Sequence, residues 1–243
     1  MLSATGIAKS FGGVQAIKAV DIEIRSGAIT ALLGPNGAGK TTMFAMLAGF
    51  IRPDRGRITF ERRDITGWAP ERIARVGMVR TFQVTQPFSG LSVAHNIRVG
   101  AFLRENRPRE AETRARAIGE RLGLGKVLDR SASSLTVAGR KRLEIARAMA
   151  TQPRLLLLDE VMAGLNPTEI NEIVELIKQI RDSGVTILLT EHIMHAVAQL
   201  ADVAHVLAGG TLISSGTPRQ IAEDPKVIEA YLGHGAAQRL ANA

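Results

Sequence analysis

The 243-residue chain has no cysteine, which excludes disulfides, cysteine-ligated metal sites and a thiol nucleophile. It has one Trp and one Tyr, too few for an aromatic platform that stacks nucleic-acid bases. Its longest apolar runs, such as Leu155–Leu158, fall far short of the roughly 20 residues that span a bilayer. The opening MLSATGIAKSFGG has no apolar stretch after a basic end, so it does not read as a secretory signal. A chain kept in the cytoplasm is the expectation. What is present is ordinary globular composition, 45% hydrophobic and 22% charged, enough for one sizeable core with a smaller attached subdomain.

The net charge of +8 is unevenly placed. Between Arg98 and Arg147 stand 13 Lys and Arg against 6 Asp and Glu, so this segment carries almost all of the excess. A local basic stretch implies a solvated helical face, a local acidic partner or a nearby anionic surface. The solvated face is the preferred reading, and nucleic acid is not an expected partner.

Periodicity divides the chain. Val20, Ile22 and Ile24 alternate with Asp21, Glu23 and Arg25, and Ser26-Gly27 then reads as a hairpin turn into the buried strand Ala28–Leu33. Val76–Thr81, Arg154–Leu158 and Val185–Thr190 are further short apolar runs. The last two flank an amphipathic helix with Asn166 as N-cap, Pro167 at its first position, Glu169 at its third, as in a capping box, and Gly184 past its end. Alternation of strand and helix predicts a mostly parallel sheet covered by helices. Residues 84–150 show little strand pattern, and Glu110/Arg114 and Glu112/Arg116 have helical i,i+4 spacing. A helical insertion is expected there. Near the end, Gly209-Gly210 predicts a hairpin, Thr217-Pro218 and Asp224-Pro225 predict helix starts, and Gly233 predicts a stop.

Gly34-Pro35-Asn36-Gly37-Ala38-Gly39-Lys40-Thr41 fits the phosphate-binding pattern G-x-x-x-x-G-K-[ST], with Thr42 following, between a predicted strand and a helix-compatible run. Glycines let backbone N–H groups curl around phosphate oxygens, and the helix N-terminus adds a favourable dipole. Lys40 is the expected ligand of the β- and γ-phosphates, and Thr41 of Mg²⁺. Leu155–Leu158 runs into Asp159-Glu160, where the first carboxylate suits a Mg²⁺ anchor and the second a base for water. His192 and Gln83 also follow predicted strands, so all four features belong at the carboxyl edge of an open α/β sheet.

Taken in order, the P-loop, Gln83, Leu135-Thr136-Val137-Ala138-Gly139-Arg140-Lys141-Arg142, Asp159-Glu160 and His192 resemble the ABC ATPases over nearly the whole chain. Ser10-Phe11-Gly12-Gly13, Arg80-Thr81-Phe82-Gln83, Arg142–Arg147, Gly216-Thr217-Pro218 and Ala230-Tyr231-Leu232-Gly233 look like the ATP-binding subunits of branched-chain amino-acid importers. The resemblance implies a P-loop, RecA-like α/β fold with an N-terminal antiparallel β subdomain and an inserted helical subdomain. Its parts would be a nucleotide-binding core in residues 1–83 and 151–233, a helical subdomain with the signature segment in 84–150, and a tail in 234–243. It further implies that Phe11 stacks on adenine and that Gln83 senses the Mg²⁺ and γ-phosphate site and the membrane partner. Thr136, Ala138 and Gly139 would approach the γ-phosphate held by a second ATPase subunit, and Asn166 would sit in the loop that crosses the dimer interface. Catalytic roles fall to Glu160, His192 and Gln83, and metal contacts to Thr41, Gln83 and Asp159. ATP and Mg²⁺ are the implied cofactors. Implied partners are membrane permease subunits, a companion or identical ATPase chain and, indirectly, a periplasmic binding protein, with this chain at the cytoplasmic face of the inner membrane. The other class to weigh is a non-transport ABC ATPase in DNA repair or translation, which usually carries coiled-coil insertions or tandem cassettes. Two departures stand out: the segment usually written Leu-Ser-x-Gly-Gln has Thr136 and Ala138, and Val161 replaces the usual Pro. A Cβ at Ala138 is costly if that position needs φ > 0.

Overall fold

The computed structural model describes residues 1–82 and 86–232. The expectations for Gln83, for the stop at Gly233 and for the tail therefore lie outside the described residues. The first elements are strands β1 (Leu2–Phe11), β2 (Val14–Ile24) and β3 (Ile29–Leu33), helix α1 (Lys40–Leu47), and strands β4 (Arg55–Phe60) and β5 (Arg63–Asp64). Helix α2 (Pro70–Arg75), strand β6 (Met78–Arg80), and helices α3 (Val93–Ala101), α4 (Pro108–Arg121) and α5 (Val137–Ala150) come next. Strand β7 (Leu155–Asp159), helix α6 (Pro167–Asp182), strand β8 (Thr186–Thr190) and helix α7 (Met194–Leu200) follow. The last are strands β9 (Val203–Ala208) and β10 (Thr211–Gly216) and helices α8 (Pro218–Glu223) and α9 (Pro225–Leu232). Two compact units form, one from Met1–Ile73 with the chain from Thr186 onward, the other from Ala74–Val185.

In the first unit, β2, β1, β4 and β5 make an antiparallel sheet in that order. Val20, Ile22 and Ile24 are buried and their neighbours Asp21, Glu23 and Arg25 exposed, the alternation of a sheet with one wet face. Beside it, β3 pairs in parallel with β8 and β9, aligning Leu32 with both Thr190 and His205. Every residue of β3 and β8 is buried, which is why both are mostly apolar, with threonine as their one polar residue type. The β9–β10 hairpin turns at Gly209-Gly210 as expected.

The hairpin expected at Ser26-Gly27 does not form. β2 pairs with β1, through a turn at Gly12-Gly13, while β3 pairs with β8 and β9. The two apolar patterns differ for that reason: an alternating strand suits a half-exposed antiparallel sheet, and a fully apolar strand suits a parallel one covered on both faces.

In the second unit, β6 and β7 pair in parallel. The helical stretch is α3, α4 and α5, packed on one another through Ile97, Ala111, Ala115 and Ile145, all fully buried. The Glu112–Arg116 pair forms at 2.9 Å, but Glu110 pairs with Arg107 and Arg114 turns to Glu105. Glu105 is less exposed than Glu110, so its attraction for Arg114 is less screened. Three of the segment's arginines thus pair with carboxylates of the same segment. Helix α6 starts with the expected box: the Glu169 N–H donates to Asn166 Oδ1, and the Asn166 N–H to Glu169 Oε2, each at 3.0 Å.

Candidate nucleotide site

The P-loop leaves β3, the central strand of its parallel trio, and enters α1. Gly34, Gly37 and Gly39 have φ of 148°, 78° and 108°. At Gly34 a Cβ would lie 2.2 Å from the Leu207 carbonyl oxygen, and at Gly39 one would lie 2.6 Å from that of Ala16. Both positions thus demand glycine on steric as well as conformational grounds. As N-cap of α1, Gly39 offers no side-chain acceptor, so the first-turn N–H groups of the helix remain for an external anion. Lys40 is buried, and its ammonium donates to the carbonyls of Gly34 at 2.7 Å and Pro35 at 3.1 Å, which holds it inside the loop. Asn36, Gly37 and Thr41 are exposed and Thr42 half-buried. Donors, dipole and lysine fit a triphosphate.

The first unit also carries two more expected residues. The Gly210 N–H donates to the Ala38 carbonyl, and the Lys18 N–H to that of Gly210, so the β9–β10 turn ties the P-loop to β2. Phe11, at the tip of the β1–β2 hairpin, pairs with Val14 and is half exposed, with Lys9 over its ring at 5.6 Å. An accessible aromatic face of this kind is available for stacking. His192 lies two residues past β8, exposed, at the same end of the parallel strands as Gly34. Its neighbour Glu191 is buried, a feature that apolar patterning gave no reason to expect.

The second unit holds the carboxylates and the signature segment. Asp159 ends β7 in the interior, where its Oδ2 accepts from Arg80 of β6 at 2.7 Å and its N–H donates to Thr81 Oγ1. A carboxylate at this strand end is the kind of oxygen donor that Mg²⁺ takes, beside phosphate and water oxygens. Glu160 follows in the left-handed region, φ 47°, a sparsely populated conformation for a non-glycine residue. Its carbonyl accepts from the buried Lys141 of α5 at 3.3 Å and from the Ala163 N–H at 3.3 Å. Val161, in the usual proline position, is buried.

Thr136 is the N-cap of α5, and its Oγ1 accepts from the Gly139 N–H at 3.1 Å. Ala138 lies in the first turn of this helix and is not among the positive-φ residues. The penalty feared at Ala138 therefore does not arise; an α-helical residue accepts a Cβ freely. Asn166 uses its side chain to cap α6. Helix α5 also bonds to Phe82 and Gln86: Glu144 accepts from the Phe82 N–H, and Arg147 donates to the Gln86 carbonyl at 3.1 Å. Arg80, Lys141, Glu144 and Tyr231, which bonds to Gly34, are supports that sequence reading did not single out as site residues. Spacing could not have found them, because each acts on a residue distant in the chain.

A glycine-bound loop between a parallel strand and a helix, with a lysine at its end, defines a P-loop nucleotide-binding protein. The family model for the ABC transporter matches residues 17–163, and that for the branched-chain amino acid ATP-binding cassette transporter matches 211–237. The chain is 42% identical to the high-affinity branched-chain amino acid transport ATP-binding protein LivG of Salmonella typhimurium, over 96% of this chain and 98% of that protein. It is 38% identical to BraF of Pseudomonas aeruginosa, which has the same description, over 96% and 98%. The crystal structure of the ADP conformation of MJ1267, an ATP-binding cassette of an ABC transporter, superposes with a TM-score of 0.88 at 32% identity, covering 96% of this chain and 99% of that one. The chain belongs to the ABC transporter family, as an ATP-hydrolysing transporter subunit.

Proposed function

We propose that the chain binds Mg-ATP, closes head-to-tail on a second ATPase subunit and drives a permease importing branched-chain or related amino acids. The observation that carries this reading is the P-loop itself, with Gly34 and Gly39 sterically fixed and Lys40 held inside by loop carbonyls. Similarity to LivG and BraF supports the substrate class. Lys40 and the first-turn N–H groups of α1 bind the β- and γ-phosphates, and Phe11 stacks on the base. Thr41, Asp159 and Gln83 would hold Mg²⁺, which would offset the charge of the β- and γ-phosphates. Glu160 takes a proton from water as the water oxygen bonds to the γ-phosphorus and the bond from that phosphorus to the β-phosphate oxygen breaks, releasing ADP, while His192 and Gln83 orient that end of the nucleotide. Thr136, Ala138 and Gly139 act on nucleotide held by the other subunit, and Asn166 belongs to the loop at that interface. A helix N-terminus, already capped by Thr136, suits this contact through its dipole.

Among the described residues no helix is long and apolar enough to cross a membrane. Similarity to LivG and BraF supports a peripheral subunit that acts on a permease at the cytoplasmic face. The second unit offers a surface for that partner. Phe82, Phe88, Val99 and Phe102 are exposed, and Phe82 and Val99 line, with Arg147, a cavity of about 190 Å³. The test is reconstitution of the chain with its companion ATPase and permease in proteoliposomes, with the matching binding protein outside. ATP-dependent uptake of labelled leucine, isoleucine or valine is expected, abolished by Glu160→Gln. Uptake that ignores these amino acids would overturn the substrate class.

A further inference from the structure

We propose that Tyr231, in the last turn of α9, is a positioning residue for the nucleotide site. This rests on the reading that the P-loop holds nucleotide phosphates. The Gly34 N–H donates to the Tyr231 hydroxyl at 2.8 Å, across a separation of 197 residues. Gly34 is buried, and a buried backbone N–H needs an acceptor. The same glycine gives its carbonyl to the Lys40 ammonium at 2.7 Å. Gly34 is therefore held at both polar groups, by tyrosine on one side and lysine on the other. The carbonyls of Gly34 and Pro35 aim the lysine, so the placing of Gly34 governs where the phosphate-binding charge lies.

The hydroxyl, rather than the ring, makes this contact. Tyr231 is 41% exposed, and Val227 is the one buried residue of α9. The helix thus docks with little apolar burial, and a single hydrogen bond is a sizeable share of what keeps its end on the loop. Burial of the hydroxyl end pushes its pKa up, so the phenol stays neutral around pH 7. A neutral phenol accepts the amide without bringing an anion beside the phosphates. By this route the C-terminal helix sets nucleotide affinity from outside the phosphate-binding motif.

The test uses the full chain, Mg²⁺ and a fluorescent ADP analogue, with amide hydrogen exchange as second readout. Tyr231→Phe, which keeps the ring, is expected to weaken ADP binding about two- to tenfold, the range for one neutral hydrogen bond. It should also speed exchange at Gly34 and its loop while leaving β8 and α1's buried turn protected. Leu232→Ala, on the adjacent exposed residue, should change neither. Unchanged ADP affinity in Tyr231→Phe overturns the proposal, as does a wild-type Gly34 amide that exchanges as fast as the exposed Asn36 and Gly37 amides. The exchange comparison within the wild-type chain holds whether or not the variant folds. A wild-type chain that fails to bind ADP would instead remove the nucleotide reading on which the proposal stands.

Discussion

The starts of α1 and α5 are both assigned to phosphate, yet they are built differently. Before α1 the cap is Gly39, with no side chain to satisfy the helix and no room for one. Before α5 the cap is Thr136, whose hydroxyl already accepts from the Gly139 N–H. The first start is left open for an external anion, and its residues are fixed by steric contact with Ala16 and Leu207. The second closes on itself as an ordinary capped helix, where threonine caps as serine does and alanine sits in helical backbone without strain. That contrast explains why the P-loop keeps its pattern in full while Thr136 and Ala138 depart from the usual signature.

If this contrast is correct, binding and turnover should separate between the two units. The largest expected effect is on turnover: Glu160→Gln, with the companion subunit present, should slow phosphate release by about 10²–10⁴-fold. ATP affinity should hold, and an ATP-dependent dimer should accumulate on gel filtration. A variant that hydrolyses at the parent rate removes Glu160 as base, and a comparable loss of affinity breaks the separation. Lys40→Ala should weaken Mg-ATP binding by about 10–100-fold, the range for a charge-assisted hydrogen bond. Titration with a fluorescent ATP analogue checks it; unchanged affinity would place the phosphate-binding charge elsewhere.

Two substitutions probe the helix starts themselves. Gly34→Ala sets a Cβ against the Leu207 carbonyl and should cost about 1–3 kcal/mol in urea unfolding. Ala138→Gly should cost at most about 1 kcal/mol and leave turnover no higher, because the residue is already helical. A rise in turnover would restore a demand for positive φ at Ala138. The smallest effect concerns His205 of β9, whose Nδ1 meets Ser215 Oγ at 2.8 Å. Burial lowers its pKa from 6.5, against an opposing hydrogen bond with the Glu23 backbone. The unfolded chain then binds the extra proton more readily, so this stability is present above pH 6.5 and fades as pH falls below it. His205→Asn should flatten the dependence of the unfolding midpoint between pH 7.5 and 5.5; an identical slope in both proteins would deny His205 that part.

Local patterns were legible wherever a few adjacent residues settle the matter. Asn166-Pro167 with Glu169 specifies a helix start that forms as read, and Gly209-Gly210 specifies the turn that forms. Reading failed where the partner of a strand or charge had to be chosen. Ser26-Gly27 looks like a hairpin turn, but the strands it joins pair elsewhere. Arg114 had two carboxylates within reach and took the one less exposed to solvent. In the candidate site the P-loop, Asp159-Glu160 and His192 could be named from type and spacing, whereas the conformation of Glu160 and Ala138 could not.

The phosphate loop was already decided in eight consecutive residues, because glycine, lysine and threonine at those spacings carry their chemistry in local backbone geometry. The ion pair of Arg80 with Asp159, the hold of Lys141 on Glu160 and the bond from Gly34 to Tyr231 were not. Each joins residues that become neighbours only when strands and helices have taken their places, and hydrogen bonds act over about 3 Å, blind to separation along the chain.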